Sequence, residues 1–146
     1  DHKDSNELLL QTHLLKGEIA STNFISLARD PDKVVMIARP FDVMLLGMGT
    51  DGHFASLFPD MISDEAAFGL GAAPTILRTG IKGSPAHPRV TMNLAMILQS
   101  SHIYLLVNGG AKMEVFADAQ HNHNLPIAAL LQQKITNIEI IMDLPS

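Results

Sequence analysis

Hydrophobic positions along this chain fall into short runs, closely punctuated by polar and turn-forming residues. The opening "DHKDSNELLLQTHLL" reads as a helix, with Ser5 or Asp4 placed to cap it and Leu8, Leu9 and Leu15 forming an apolar face. "STNFISLARDPDK" is a polar loop or a short helical piece, and "VVMIA" (Val34 to Ala38) fits a strand or a helix end equally well. Arg39-Pro40 ends whatever precedes it. "FDVMLL" (Phe41 to Leu46) is short, apolar and followed by glycine, a pattern that predicts a strand buried on both faces. A short helix is predicted to begin near His53, to carry Phe54, Leu57 and Phe58, and to stop at Pro59.

Farther on, residues 69–88 hold glycine and proline so often that they predict turns, with one short strand at "PTILRTG". "RVTMNLAMILQSS" predicts a strand running into a helix, and "HIYLLVNG" (His102 to Gly109) a strand with a glycine exit into the helix "AKMEVFADAQ". "HNHNLP" is a loop, "IAALLQQ" helical, and "IEIIMD" (Ile138 to Asp143) a last strand. Strands alternating with helices predict a single α/β domain over residues 1–146, with a largely parallel sheet flanked by helices. Ligands of such folds bind beyond the C-terminal strand ends, where both Gly47 and Gly109 fall.

Composition narrows the function classes. Apolar residues make up 47% of 146, which is globular, and no apolar run approaches the ~20 residues of a membrane span. With no cysteine, disulfides, thiolate metal sites and cysteine nucleophiles are excluded. No secretion signal opens the sequence, so a cytoplasmic protein is expected. The net charge is −5 and the ten basic residues are scattered, so nucleic acid and membrane are not expected partners. Any phosphate would have to be held by individually placed cations.

One segment looks like chemistry. Gly47-Met48-Gly49-Thr50-Asp51-Gly52 matches G-x-G-x-x-G after a strand, yet no second strand follows to present a ribose-binding acid. An aspartate inside the loop would also repel a pyrophosphate, and no P-loop lysine follows. In "DGH", Gly52 permits backbone conformations that other residues resist, so Asp51 and His53 can both project above the sheet. Imidazole, with a reference pKa of ~6.5, suits a general base near neutral pH. The bland alternative is Asp51 as the cap of a helix that begins at an ordinary, partly exposed His53.

"FDVMLLGMGTDGHFASLFP" resembles the signature segment of the 6-phosphogluconolactonases, within the superfamily that includes glucosamine-6-phosphate isomerases/deaminases. "SPAHPRVTMNLAMI", "IYLLVNGGAKMEVF", "DSNELLL" and "LPIAALL" resemble further family segments in the expected order. Deaminases carry a Phe-Asn-Glu-Pro stretch after the histidine; this chain has Ser56-Leu57-Phe58-Pro59, which favours lactonase. The resemblance implies a Rossmann-like fold and hydrolysis of 6-phosphoglucono-δ-lactone in the pentose phosphate pathway. It also implies that the chain corresponds to the C-terminal portion of a longer lactonase, without the family's N-terminal phosphate loop.

On that reading His53 is the general base, and Asp51 orients it or holds a sugar hydroxyl. Gly47, Gly49 and Gly52 contribute backbone to the substrate site, while Arg89 and Lys112 hold the phosphate. Lys112, in a helix first turn, reads from the residues alone as readily as a solvated lysine. No cofactor is expected, because an ester carbonyl is already electrophilic. His121 and His123 form H-x-H, too few ligands for a metal site. Met44, Met48, Met92, Met96 and Met113 read as core filler. The rivals are a deaminase-type enzyme and a non-catalytic sugar-phosphate-binding module.

Overall fold

The computed structural model describes residues 5–17 and 24–142. The candidate cap Asp4, the loop positions 21–23 and the strand end Asp143 lie outside the described residues. Three strands, β1 (Phe41–Gly47), β4 (Ser100–Val107) and β5 (Ile138–Met142), form a parallel sheet in the order β1-β4-β5. Leu46 lies opposite Leu105 and Ile103 opposite Ile138, so alternate side chains of neighbouring strands share a face.

That inner face is the core. Leu46, Ile103, Leu105 and Val107 pack with Leu94 and Ile97 of α4 (Leu94–Ile97) and with Ile127 and Leu130 of α6 (Pro126–Gln132). Phe54, Leu57 and Phe68 close the same cluster, Phe68 belonging to α3 (Glu65–Phe68). Each fully buried aliphatic or aromatic side chain contributes roughly 1.5–3 kcal/mol, so this face supplies most of the cohesion. Met48 and Met96 are buried in the core, and Met44, Met92 and Met113 border it, as gap filling requires.

The outer face departs from the sequence expectation. β1 is not buried on both sides: Val43 is 58% and Leu45 65% exposed, and Ile141 of β5 is 47% exposed. A continuous apolar run shows that a face could be covered but not what covers it, and no described residue does.

The first helix also departs from expectation, whereas the strands expected at "PTILRTG" and at the start of "RVTMNLAMILQSS" are present. The first helix, α1 (Asn6–His13), is capped by Ser5, whose hydroxyl accepts from the Leu8 amide, but it buries no residue. Leu8 and Leu9 face solvent and Leu15 follows the helix, half-buried; polar contacts of Glu7 with Ser26 and Arg29 tie α1 down. Val34, of the segment with two readings, ends up in α2 (Pro31–Val35). The turn-rich stretch folds into an antiparallel hairpin of β2 (Ile76–Lys82) and β3 (His87–Met92), separate from the parallel sheet.

The hairpin leads into α4 through Asn93, a fully buried side chain that is completely used. Its carbonyl accepts from the amides of Thr75 and Met96, and its amide donates to the carbonyls of Ala66 and Ala73. A buried amide satisfied on all sides fixes the hairpin base against α3.

Candidate functional site

β1 and β4 run parallel with Gly47 opposite Leu106, so their C-terminal ends open onto one edge. Beyond β1 lies the 48–58 loop, and beyond β4 lies α5 (Gly110–Asp118). Gly109 takes a left-handed φ of 87°, turning the chain sharply into α5 and setting half-buried Lys112 in its first turn. The sheet thus brings the histidine loop and the lysine helix to the same edge.

The histidine loop is not the start of a helix. Met48 pairs as a β-bridge with Phe54, Phe54 with Leu57, and Ala55 takes a left-handed φ of 49°. The Gly49 amide donates to the His53 carbonyl at 2.8 Å, and the Gly52 amide to the Gly49 carbonyl at 3.1 Å. These amides close the loop on itself, so the chain folds back where the sequence pattern predicted a helix. Regular structure resumes only in the short 3-10 turn Pro59–Met61. With no helix at His53, Asp51 is not a helix cap.

Instead Asp51 serves His53 twice. Its Oδ1 accepts from the His53 backbone amide at 3.2 Å and lies 2.5 Å from Nδ1 of the imidazole. Burial is the largest influence on the Asp51 carboxyl and works to raise its pKa. The hydrogen bonds from the His53 side chain and backbone, with the His53 charge, outweigh it and hold the pKa below 3.8. A carboxylate ionised at neutral pH and seated on Nδ1 keeps the proton there. That leaves Nε2 as the basic nitrogen.

Glycine makes this seating possible. A Cβ built on Gly49 would stand closer than 3.0 Å to the His53 ring and 2.7 Å from Asp51 Oδ1. Gly52, at φ 79°, presents its carbonyl to the Ile127 amide at the start of α6, 2.9 Å away. A Cβ at Gly52 would meet Leu125 at 3.2 Å. The loop is therefore braced from below by the Leu125–Ile127 segment, a support the sequence did not signal.

Arg89 sits on β3 and is half-buried. Its backbone amide donates to Thr79 Oγ1 and its Nη2 to the Pro85 carbonyl at 3.0 Å. Its buried Nε has no hydrogen-bond partner among the described residues. An unpaired buried donor on a cation is costly, and any acceptor, an ordered water or an anion, would satisfy it. Lys112 and Arg89 stand on separate elements, α5 and β3.

The residue that sequence reading overlooked is Phe58. Its ring lies against the His53 imidazole, centroids 4.8 Å apart and planes tilted by 38°. Away from this edge, His123 Nδ1 lies 2.8 Å from Gln132 Oε1. Among the described residues, no helix is long and apolar enough to cross a membrane, and no His/Cys/Asp/Glu group could hold a metal.

Comparisons with known proteins bear on the family and the fold. The family model described as glucosamine-6-phosphate isomerases/6-phosphogluconolactonase matches residues 1–139. A 6-phosphogluconolactonase of Caulobacter vibrioides is 36% identical, covering 94% of this chain and 63% of its own. That of Neisseria meningitidis serogroup A is 33% identical, with 95% and 66% covered. The crystal structure of a 6-phosphogluconolactonase from Shewanella baltica superposes with a TM-score of 0.80 at 31% identity. That alignment covers 97% of this chain and 66% of the other. The chain thus spans just under two thirds of the length of these relatives.

Proposed function

This chain belongs to the family of glucosamine-6-phosphate isomerases and 6-phosphogluconolactonases, and within that family we propose that it carries the hydrolytic site of a 6-phosphogluconolactonase. The observation that carries the reading is the Asp51–His53 pair, 2.5 Å apart, at the C-terminal edge of a parallel sheet. His53 Nε2 takes a proton from water as the water oxygen attacks the lactone carbonyl. The tetrahedral intermediate then collapses, the bond from the carbonyl carbon to the ring oxygen breaks, and the imidazolium returns its proton to that oxygen. The product is 6-phosphogluconate.

Asp51 orients the imidazole and stabilises its charged form during the step, which favours the orienting role over a sugar-hydroxyl contact. Gly47, Gly49 and Gly52 contribute backbone to the site, and the missing side chain at Gly49 leaves room for the Asp51–His53 pair. Stabilising the oxyanion falls to loop amides other than Gly49 and Gly52, which already close the turn. Arg89 and Lys112 hold the phosphate and fix the ring for attack.

The deaminase alternative is disfavoured by the residue on the imidazole. Phe58 packs there, and Asp51 supplies the only carboxylate bonded to it among the described residues. The uncovered apolar residues Val43, Leu45 and Ile141, with the longer chains of the relatives, support a need for polypeptide beyond these 146 residues for full activity. Lactone turnover above the spontaneous rate, lost in His53→Gln, tests the reading. No turnover of 6-phosphoglucono-δ-lactone by the full-length protein would refute it.

A further inference from the structure

Two parts of the proposed site come from separate stretches of sequence, the Asp51–His53 turn and the β2–β3 hairpin that carries Arg89. They meet at one side chain. Phe58 is 5% exposed, and one side of its ring packs on the His53 imidazole. The ring edge lies beneath the hairpin turn, where a Cβ on Gly83 would stand 3.2 Å from both Cε1 and Cζ. The same point is 3.6 Å from Arg89 Nη2. Gly83 takes φ 81°, so the backbone turns directly on the aromatic ring with no side chain between.

Flanking contacts keep this seat in register. The Ser56 amide donates to Thr91 Oγ1 at 3.1 Å, and Lys82, next to Gly83, pairs with Asp60. Asp60 is largely exposed, and ion pairs open to solvent are weak. The buried ring, together with the Ser56–Thr91 hydrogen bond, therefore sets how closely the hairpin approaches the histidine loop. The Asp51 bond also fixes only one edge of the imidazole. A second contact, against the tilted Phe58 ring, limits its turning about that bond.

We propose that Phe58 is a positioning residue: it fixes the plane of the His53 imidazole and, through Gly83, the placement of Arg89 relative to it. The kinetic consequences rest on the lactonase reading; the geometric claim does not.

The test uses the full-length protein with Phe58→Leu, Gly83→Ala and the double variant, with Phe58→Met as a second replacement that fills the space without a ring. In nuclear magnetic resonance spectra, the His53 imidazole 15N signals, which a lost ring current barely moves, should shift toward the average of the two tautomers in both Phe58 variants. A misplaced base should lower kcat about tenfold, within the loss that sub-ångström to ångström misplacement produces. Gly83→Ala should chiefly raise KM for the phosphorylated lactone by moving Arg89. That KM increase should shrink without vanishing in the Phe58→Leu background, where the new methyl has room but alanine stays strained at φ 81°. Unmoved His53 signals in both Phe58 variants would overturn the proposal, as would an equal Gly83→Ala penalty in both backgrounds. If the wild type does not turn over the lactone, the hydrolytic reading fails, and the His53 signals alone decide the positioning claim.

Discussion

Replacing Gly49 with alanine isolates the seating of His53 from everything else in the loop. The backbone does not require glycine here, since Gly49 is not among the residues with positive φ. The new methyl would instead stand 2.7 Å from Asp51 Oδ1 and closer than 3.0 Å to the imidazole, where ordinary contact begins near 3.4 Å. The carboxylate and the ring must therefore retreat together by at least about 0.7 Å. Both side chains are partly exposed, so they can swing outward while the fold survives. A displacement approaching 1 Å costs up to ~10²-fold in rate, or about 2.7 kcal/mol of barrier. The expected outcome is a kcat lowered by about two orders of magnitude, with KM nearly constant because Arg89 and Lys112 do not move. The assay follows acid release from 6-phosphoglucono-δ-lactone, with spontaneous hydrolysis subtracted, alongside a urea titration to confirm folding. A Gly49→Ala protein with wild-type kcat would show that catalysis does not use the imidazole in this position.

Three further expectations concern the surroundings of that loop. Arg89→Ala and Lys112→Ala should each weaken substrate binding by ~1.5–3 kcal/mol, as loss of a charge-assisted hydrogen bond would. Their preference for the phosphorylated lactone over glucono-δ-lactone should fall; an unchanged preference removes them from the phosphate site. The Asp51 carboxyl has a folded-state pKa below 3.8, so its pairing contributes stability at higher pH and loses it as pH falls through that folded value. The gap in urea midpoint between wild type and Asp51→Asn should accordingly narrow below pH 3.8, and a gap that widens on acidification contradicts this sign. Residues 1–146 produced alone should turn over the lactone poorly and bind a hydrophobic dye at the face of Val43 and Leu45, whereas full turnover would refute the need for more chain.

Local patterns revealed the strands well, because short apolar runs bounded by turn-forming or polar residues are too short for most helices. β1, β4 and β5 fall where Phe41 to Leu46, His102 to Gly109 and Ile138 to Asp143 predicted them, within a residue or two at each end. The same patterns misjudged Val43 and Leu45, since coverage of a face depends on residues distant in sequence. The helix expected at His53 failed for a related reason. Phe54 and Leu57 have helical spacing, but Gly49 and Gly52 let the backbone pair with Met48 instead. The pairing of Asp51 with His53 was legible because both flank one glycine. Phe58 was not, since an aromatic beside proline looks like core until the hairpin turn is seen resting on it.

The most direct test of the central claim is the lactonase rate of His53→Gln. Glutamine keeps much of the bulk and hydrogen bonding of the imidazole but cannot accept the proton from water near neutral pH. General base catalysis is typically worth ~10²–10⁴ in rate, so kcat for 6-phosphoglucono-δ-lactone should fall by that much, after correction for spontaneous hydrolysis, with KM little changed. A His53→Gln protein that hydrolyses the lactone within about tenfold of the wild-type rate would contradict the assignment of His53 as the base.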